Sequence, residues 1–470
     1  MLFPTIQFGV FFLIVFVGSW ALRSRHTAHK WFLIAASYYF YGCWDWRFTA
    51  LLAFCSVSNY LGGRWLAATE HPGRRKAILL VGLLANGGVL GFFKYYGFFV
   101  SSALNVFAAM GWRPNVTLLE VVLPVGISFF TFQGISYFVD VYRRQLEASK
   151  SLADILLYIS FFPQLVAGPI VRASTFLPQL QKPPDPNTIE GSRALTLIMG
   201  GLIKKTVVAN YIGTELVDPF FQSPSDYSGP DSLFAIYGWA VQVYCDFSAY
   251  SDIAIGVAEL LGYRFPHNFN QPYRASSLRE YWRRWHISLS TWLRDYIYYP
   301  LGGSRAGRLR TYVNLYLVFL FGGLWHGADW TFVMWGLVHG TGLCVERFVR
   351  RRMPAREWPR WTYIIGLLAT FHFVCVARIF FRSPSFDIAL QCFRSLGAWS
   401  EPLTMATPFV VVLVVVGLGI HFIPPKWSEA AQTAFGRMPL VAQGAALGLF
   451  LVLLSVMAPE GVAPFIYFQF

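Results

Sequence analysis

Charged residues are scarce in this 470-residue chain: Asp, Glu, Lys and Arg make up 13% of it, about half the share in soluble proteins. A water-soluble fold is therefore excluded as the first reading, and so is intrinsic disorder, which needs high charge and few aromatics. Cysteine is also sparse. Cys43, Cys55, Cys245, Cys344, Cys375 and Cys392 form no close CxxC pair, so neither disulfides nor a zinc site is expected. There is no internal repeat, low-complexity tract or long Pro/Gly linker, which predicts a single membrane-embedded domain over 1–470. Apolar runs are continuous and not alternating, so a transmembrane β-barrel is disfavoured. No Lys or Arg precedes the first apolar run, whereas Arg23, Arg25 and Lys30 follow it. That order is the reverse of a cleaved signal peptide, and the first helix is expected to remain with its N-terminus outside.

What is present is bulk. Hydrophobic residues reach 55%, with 44 Phe, 24 Tyr and 17 Trp. The fold class this implies is all-α: a polytopic integral membrane protein with about 10–12 membrane-inserted helices, some re-entrant or interfacial, around a central cavity. Apolar segments fall near 8–22, 31–44, 48–62, 77–97, 118–139, 194–212, 233–262, 361–381, 407–423 and 440–458. Lys204 and Lys205 sit awkwardly inside one of them.

The net charge of +14 reads by position as attraction to lipid headgroups or an anionic substrate, not to nucleic acid. Residues 263–311 carry nine arginines against two acids, 347–360 six against one, and 213–231 four acids and no base. The first two segments are expected on the cytoplasmic side and the third outside.

Two regions break the pattern of simple spans. Tyr158 to Ile170 contains Pro163, Gly168 and Pro169; it reads either as a segment that enters and returns or as a helix end with a loop. In Thr311 to Arg347, apolar arms of 14 and 16 residues, Tyr312–Trp325 and Trp330–Val345, are too short to cross a roughly 30 Å core and suggest a hairpin. Its apex holds His326, an ionisable group at membrane depth and hence a functional candidate, although an imidazole bonded across helices is also compatible. Asp329 reads as the cap of the second arm. His339, His372 and His421 are lone histidines in apolar runs and are left out.

Upstream, SLREYWRRWHISLSTWLRDYIYYP (Ser277–Pro300) predicts one amphipathic interfacial helix with Trp282, His286, Leu289 and Leu293 on a single face. Arg283 and Arg284 are expected to meet lipid phosphate or to pair with Asp246 or Asp252. Those two aspartates lie in VYCDFSAYSD (Val243–Asp252), where Asp246 with Tyr250 and Ser248 with Asp252 form a polar stripe that either lines a cavity or seams two helices.

With these residues in view, the chain resembles the membrane-bound O-acyltransferases, in the bacterial alginate and peptidoglycan O-acetyltransferase branch. The resemblance rests on LPVGISFFTFQGISYFVDVYR (Leu123–Arg143), YISFFPQLVAGPIVR (Tyr158–Arg172), VYCDFSAYSDIAIG (Val243–Gly256), NFNQPY (Asn268–Tyr273), YWRRWHISLSTWLRDYIYYPLGG (Tyr281–Gly303), GGLWHGADWTFVMWGLVHG (Gly322–Gly340) and the C-terminal FIYFQF. It implies that His326 is the family's central histidine and His286 its upstream companion. Around them Trp325, Trp282, Tyr244, Asp246, Asn268 and Ser290 are expected to bind substrate. It further implies transfer of an acyl group, most simply acetyl, from a cytoplasmic thioester such as acetyl-CoA to an extracytoplasmic polysaccharide, in the bacterial inner membrane, with a periplasmic acetyltransferase partner and no bound cofactor.

A neutral imidazole suits this chemistry, since an unactivated hydroxyl needs a base at physiological pH. His286 is expected to position or polarise the donor carbonyl. No GxSxG elbow is present, so direct transfer is simpler than an acyl-enzyme. D-alanyl transfer onto teichoic acid is the near alternative. A proton-coupled transporter is the alternative from another class, although the inverted repeats that transporters usually carry are absent.

Overall fold

The computed structural model describes residues 1–470 except 2, 306, 353–358, 458–464 and 467–470. Arg356 and the last four residues of FIYFQF lie outside the described residues. Among the described residues every regular element is helical. Packing divides the chain into two compact units, one of residues 1–189 with 258–265 and one of 190–257 with 266–470.

The first unit contains α1 (Ile6–Ala21), α2 (His26–Asp45), α3 (Arg47–Ala68), α4 (Pro72–Leu90), α5 (Tyr96–Ala109), α6 (Ile127–Tyr142) and α7 (Leu152–Ser160). The apolar run expected at 118–139 becomes helical only at Ile127. Pro124 lacks an amide hydrogen, and Gly126 takes a left-handed φ of 77°, so the helix cannot begin earlier. Small residues let helices close on aromatics: a Cβ on Gly62 or Gly82 would collide with Phe138, and one on Gly63 with Tyr137. Ring pairs such as Phe11–Phe162 at 5.2 Å and Phe40–Phe162 at 5.7 Å fill the core. Tyr158 to Ile170 is a helix end followed by a one-turn helix, Phe162–Leu165, and a buried loop. Its irregular backbone is supplied with partners: Gln164 donates to the Tyr158 carbonyl at 2.7 Å, and the Tyr158 hydroxyl donates to Val171 at 3.2 Å.

The second unit is built on α8 (Gly191–Leu202), α9 (Gly229–Leu260, up to Val257), α10 (Leu278–Arg284), α11 (Ile287–Leu293), α12 (Arg308–His326), α13 (Trp330–Arg352), α14 (Arg360–Arg382), α15 (Pro408–Gly419), α16 (Pro425–Arg437) and α17 (Leu440–Met457). Among the described residues, four helical stretches can cross a membrane by length and composition: 72–109, 191–222, 361–382 and 440–457. The stretch 408–437 makes a fifth if its two helices, bent by 97°, count as one. None of the residues of α17 is buried, and Leu440, Val441 and Val456 are at least 78% exposed. Such a bare apolar face belongs against lipid.

The acidic segment 213–231 is not a loop. Helix continues through it to Gln222, Asp218 pairs with Arg382 at 2.6 Å, and Asp231 accepts the amides of Thr404 and Met405, both at 2.7 Å. The lysines that looked misplaced in a span have partners: Lys205 pairs with buried Asp246 and Lys204 with Asp252, each at 2.5 Å. Both lie within a π-helical stretch, Ile203–Ala209.

Candidate functional site

All site residues considered below lie in the second unit. The expected hairpin forms, with longer arms than the apolar count suggested: 19 residues in α12 and 23 in α13, about 28 and 34 Å. The arms lengthen because arginines at their outer ends are accommodated in helix, where long basic side chains can reach polar surroundings. Glycines set the approach of the two arms. A Cβ on Gly323 would strike the Phe332 carbonyl, and one on Gly336 the Phe319 carbonyl. Farther out, the Tyr316 hydroxyl lies 3.0 Å from Thr341 Oγ1, so the arms run antiparallel. Asp329 Oδ1 accepts the Thr331 amide at 2.8 Å and caps the second arm.

His326 ends α12 and is 3% exposed. Its ring packs against Trp335 at 4.9 Å, Trp325 at 5.0 Å and Phe381 at 5.2 Å. It also lines a cavity of about 800 Å³ whose walls come from Trp282, Leu289, Ser290, Leu293, Phe319 and Trp335. Arg279, Arg283, Arg294, Arg350 and Arg351 line the same cavity and are exposed, with Arg347 half-buried beside them. The cavity thus joins a cationic surface to a buried imidazole, and its arginines come from both ends of the hairpin region.

His286 is placed differently from expectation. The predicted single helix is broken in two at Trp285–His286, where His286 adopts φ 42° and ψ 57°. The break has a nonlocal cause: Asn268 accepts the Ile287 amide with its backbone carbonyl at 2.8 Å and the Ser288 amide with its side chain at 3.2 Å. Trp282, Leu289 and Leu293 therefore line the cavity while His286 is turned out of its wall. Its ring lies 4.6 Å from Phe247 and 5.9 Å from Trp325. Trp325 thus neighbours both imidazoles. Burial pushes the His286 imidazole well below the ordinary histidine range, so it is neutral at physiological pH.

The other candidates divide. Ser290 and Trp282 line the cavity, Trp325 touches both histidines, and Asn268 bonds His286. Tyr244 packs on His421 at 4.2 Å and on Tyr273 at 5.8 Å. Asp246, besides its Lys205 pair, accepts the Ile466 amide at 2.9 Å and so anchors the C-terminal segment. Neither is in the cavity wall. Arg284 pairs with Glu280 at 2.9 Å, not with Asp246 or Asp252, while Arg283 faces the cavity.

Sequence reasoning passed over Arg378. It is 4% exposed in α14, donates to the hydroxyls of Tyr273 and Tyr281, and lies 4.4 Å from the Trp285 ring centroid. With His326, His339 and Trp335 it lines a small chamber. The signal was available: an arginine inside the apolar run FHFVCVARIFF.

A model of the membrane-bound O-acyltransferase family matches residues 143–383. The chain is 35% identical to a probable alginate O-acetylase of Azotobacter vinelandii, with all of both chains covered. It is 36% identical to a probable alginate O-acetylase of Pseudomonas aeruginosa, over 95% of this chain and 87% of the relative. A peptidoglycan O-acetyltransferase of Helicobacter pylori is 36% identical over 84% of this chain and 80% of its own.

Proposed function

Since the chain belongs to the membrane-bound O-acyltransferase family and is an acyltransferase of the membrane, we propose that it moves an acetyl group from a cytoplasmic thioester, acetyl-CoA or another acyl thioester, across the bacterial inner membrane for O-acetylation of an extracytoplasmic polysaccharide. The observation that carries this reading is the cavity of about 800 Å³ that runs from exposed arginines to buried His326. Arginine suits the phosphates or acidic surface of a thioester carrier. The aromatic and aliphatic walls suit a water-poor site, in which a thioester is shielded from hydrolysis. The excess of base in 263–311 and 347–360 supports a cavity mouth on the cytoplasmic side.

In this mechanism the neutral His326 imidazole takes the proton from the acceptor hydroxyl as its oxygen attacks the thioester carbonyl. The tetrahedral intermediate then collapses, the carbon–sulfur bond breaks, and the imidazolium returns the proton to the departing thiolate. Trp282, Ser290 and Trp325 are the groups proposed to hold the donor near His326. Tyr244 and Asp246 support the site from behind its wall. The acetyl assignment and the polysaccharide acceptor follow the names of the relatives, alginate O-acetylase and peptidoglycan O-acetyltransferase. A separate periplasmic protein is proposed to present the glycan.

Membranes supplied with acetyl-labelled thioester, acceptor glycan and partner are expected to yield alkali-labile acetyl on the polymer, whereas a D-alanyl thioester is expected to yield none. The reverse preference would make this a D-alanyltransferase. For His286, substitution by Ala is expected to lower transfer by about 10²-fold, a large but incomplete loss, with Asn milder because it keeps a hydrogen-bonding group. Equal and negligible effects in initial-rate assays would remove His286 from the site.

A further inference from the structure

Asn268 lies in the irregular stretch between α9 and α10, and its amide orientation is fixed by an unambiguous donor. The Ser288 backbone N–H can only donate, and the atom 3.2 Å from it is Asn268 Oδ1; that atom is therefore oxygen, and Nδ2, on the other side, donates to Ser251 Oγ at 3.0 Å. The same Oδ1 lies 2.9 Å from Ser288 Oγ and 3.2 Å from His286 Nδ1. An amide oxygen has no proton to give. The Ser288 hydroxyl is nearer Oδ1, at 2.9 Å, than Nδ1, at 3.5 Å, and gives its hydrogen to Oδ1; the 3.2 Å contact is then a hydrogen bond when Nδ1 carries the hydrogen, which leaves the lone pair of the neutral ring on Nε2. Nε2 is buried with no hydrogen-bond partner among the described residues. The left-handed backbone at His286, uncommon for a residue with a side chain, is held by these bonds.

We propose that Asn268 is a positioning residue that locks His286 in the Nδ1–H tautomer, so that Nε2, buried beside Trp325 behind the cavity wall, is held as a hydrogen-bond acceptor. This deepens the proposed function, resting on its placement of His286 in the site, and it reverses one expectation. A neutral His286 so held cannot polarise the donor carbonyl, which needs an N–H; its Nε2 offers a lone pair to a hydroxyl or N–H donor instead.

Among the described residues, the groups packed on the ring are Phe247 of α9, Asn268 and Phe269 of the irregular stretch, Ser288 of α11 and Trp325 of α12, none of them titratable in the working range. Asp246, next to Phe247 in sequence, is neutralised by Lys205. Replacing Asn268 therefore removes the nearer of the two polar groups on Nδ1, the other being the Ser288 hydroxyl at 3.5 Å.

The test uses full-length protein with ¹⁵N-histidine in nanodiscs, the His286 signals being identified by their loss in His286→Gln. A pyrrole-type Nδ1 and a pyridine-type Nε2 are expected; the opposite assignment would overturn the proposal. Asn268→Leu is expected to lower kcat roughly 10–100-fold, part of what a positioned acid–base group supplies, with a smaller change in KM. Asn268→Asp keeps the acceptor oxygens, but its carboxylate favours the imidazolium and turns Nε2 into a donor. Its activity relative to wild type should therefore climb as pH rises above the raised histidine pKa. A deficit in Asn268→Asp that is the same at every pH would mark a purely structural asparagine and contradict the proposal. The NMR measurement requires no turnover, so a wild-type protein that fails to transfer acetyl would count against the proposed function and not against the tautomer.

Discussion

Replacing His326 by alanine abolishes acyl transfer, with an expected loss of about 10²–10⁴-fold, the usual contribution of a general base, while membrane levels stay near wild type. The large effect on activity follows from position: this imidazole lines the cavity that opens at the arginines and is itself almost completely buried. The small effect on abundance follows from packing. The hairpin is held along its length by Gly323, Gly336 and Gly340 and by the Tyr316–Thr341 contact, and the Asp329 cap is independent of His326. Removal of the ring leaves a void among Trp325, Trp335 and Phe381, a core defect within the usual range of roughly 0.5–3 kcal/mol. Quantitative immunoblotting of membranes beside a transfer assay checks both halves. Near-wild-type transfer by the variant would remove His326 from the proton-accepting role.

The second large effect concerns stability. Lys205→Met is expected to destabilise the second unit by about 3–5 kcal/mol, because it strands a buried carboxylate that had been paired. The side chains of Lys205 and Asp246 are each 3% exposed and 2.5 Å apart, so solvent cannot replace the lost partner. Asp246 also holds the Ile466 amide, and loosening it should free the described C-terminal residues Phe465 and Ile466. The double variant Lys205→Met/Asp246→Leu should recover most of the loss in apparent melting temperature, since removing both charges removes the desolvation penalty. A single variant that melts with the wild type would show that the pair is not energetically coupled to the fold.

The sequence made the helices legible to within a few residues where apolar runs ended at polar or basic segments, as at α1, α14 and α17. It also located the hairpin through the basic flanks and the isolated imidazole. The misses share a cause, which is partners distant in the chain. Nothing in RRWHIS predicts a break, because no Gly or Pro is present; the break exists because Asn268, 18 residues upstream of His286, takes the amides that would have continued the helix. Lys204 and Lys205 looked incompatible with a span because Asp252 and Asp246, their partners, lie 41 or more residues away. The hairpin arms were judged too short because arginines were counted as loop, whereas a long basic side chain can extend a helix to a polar boundary. The late start of α6 was readable from Pro124 and Gly126, but hydropathy alone masked it.

Acyl transfer at His326 is tested by counting two products of one reaction together. Purified protein in proteoliposomes is mixed with labelled acetyl thioester and a hydroxyl acceptor, and free thiol and acetyl ester are counted together over time. Thiol and ester are expected in equal amounts with the wild type, and neither is expected to exceed background with His326→Ala. Label crossing the bilayer without thiol release or ester formation, or equal ester yields from the two proteins, would contradict it.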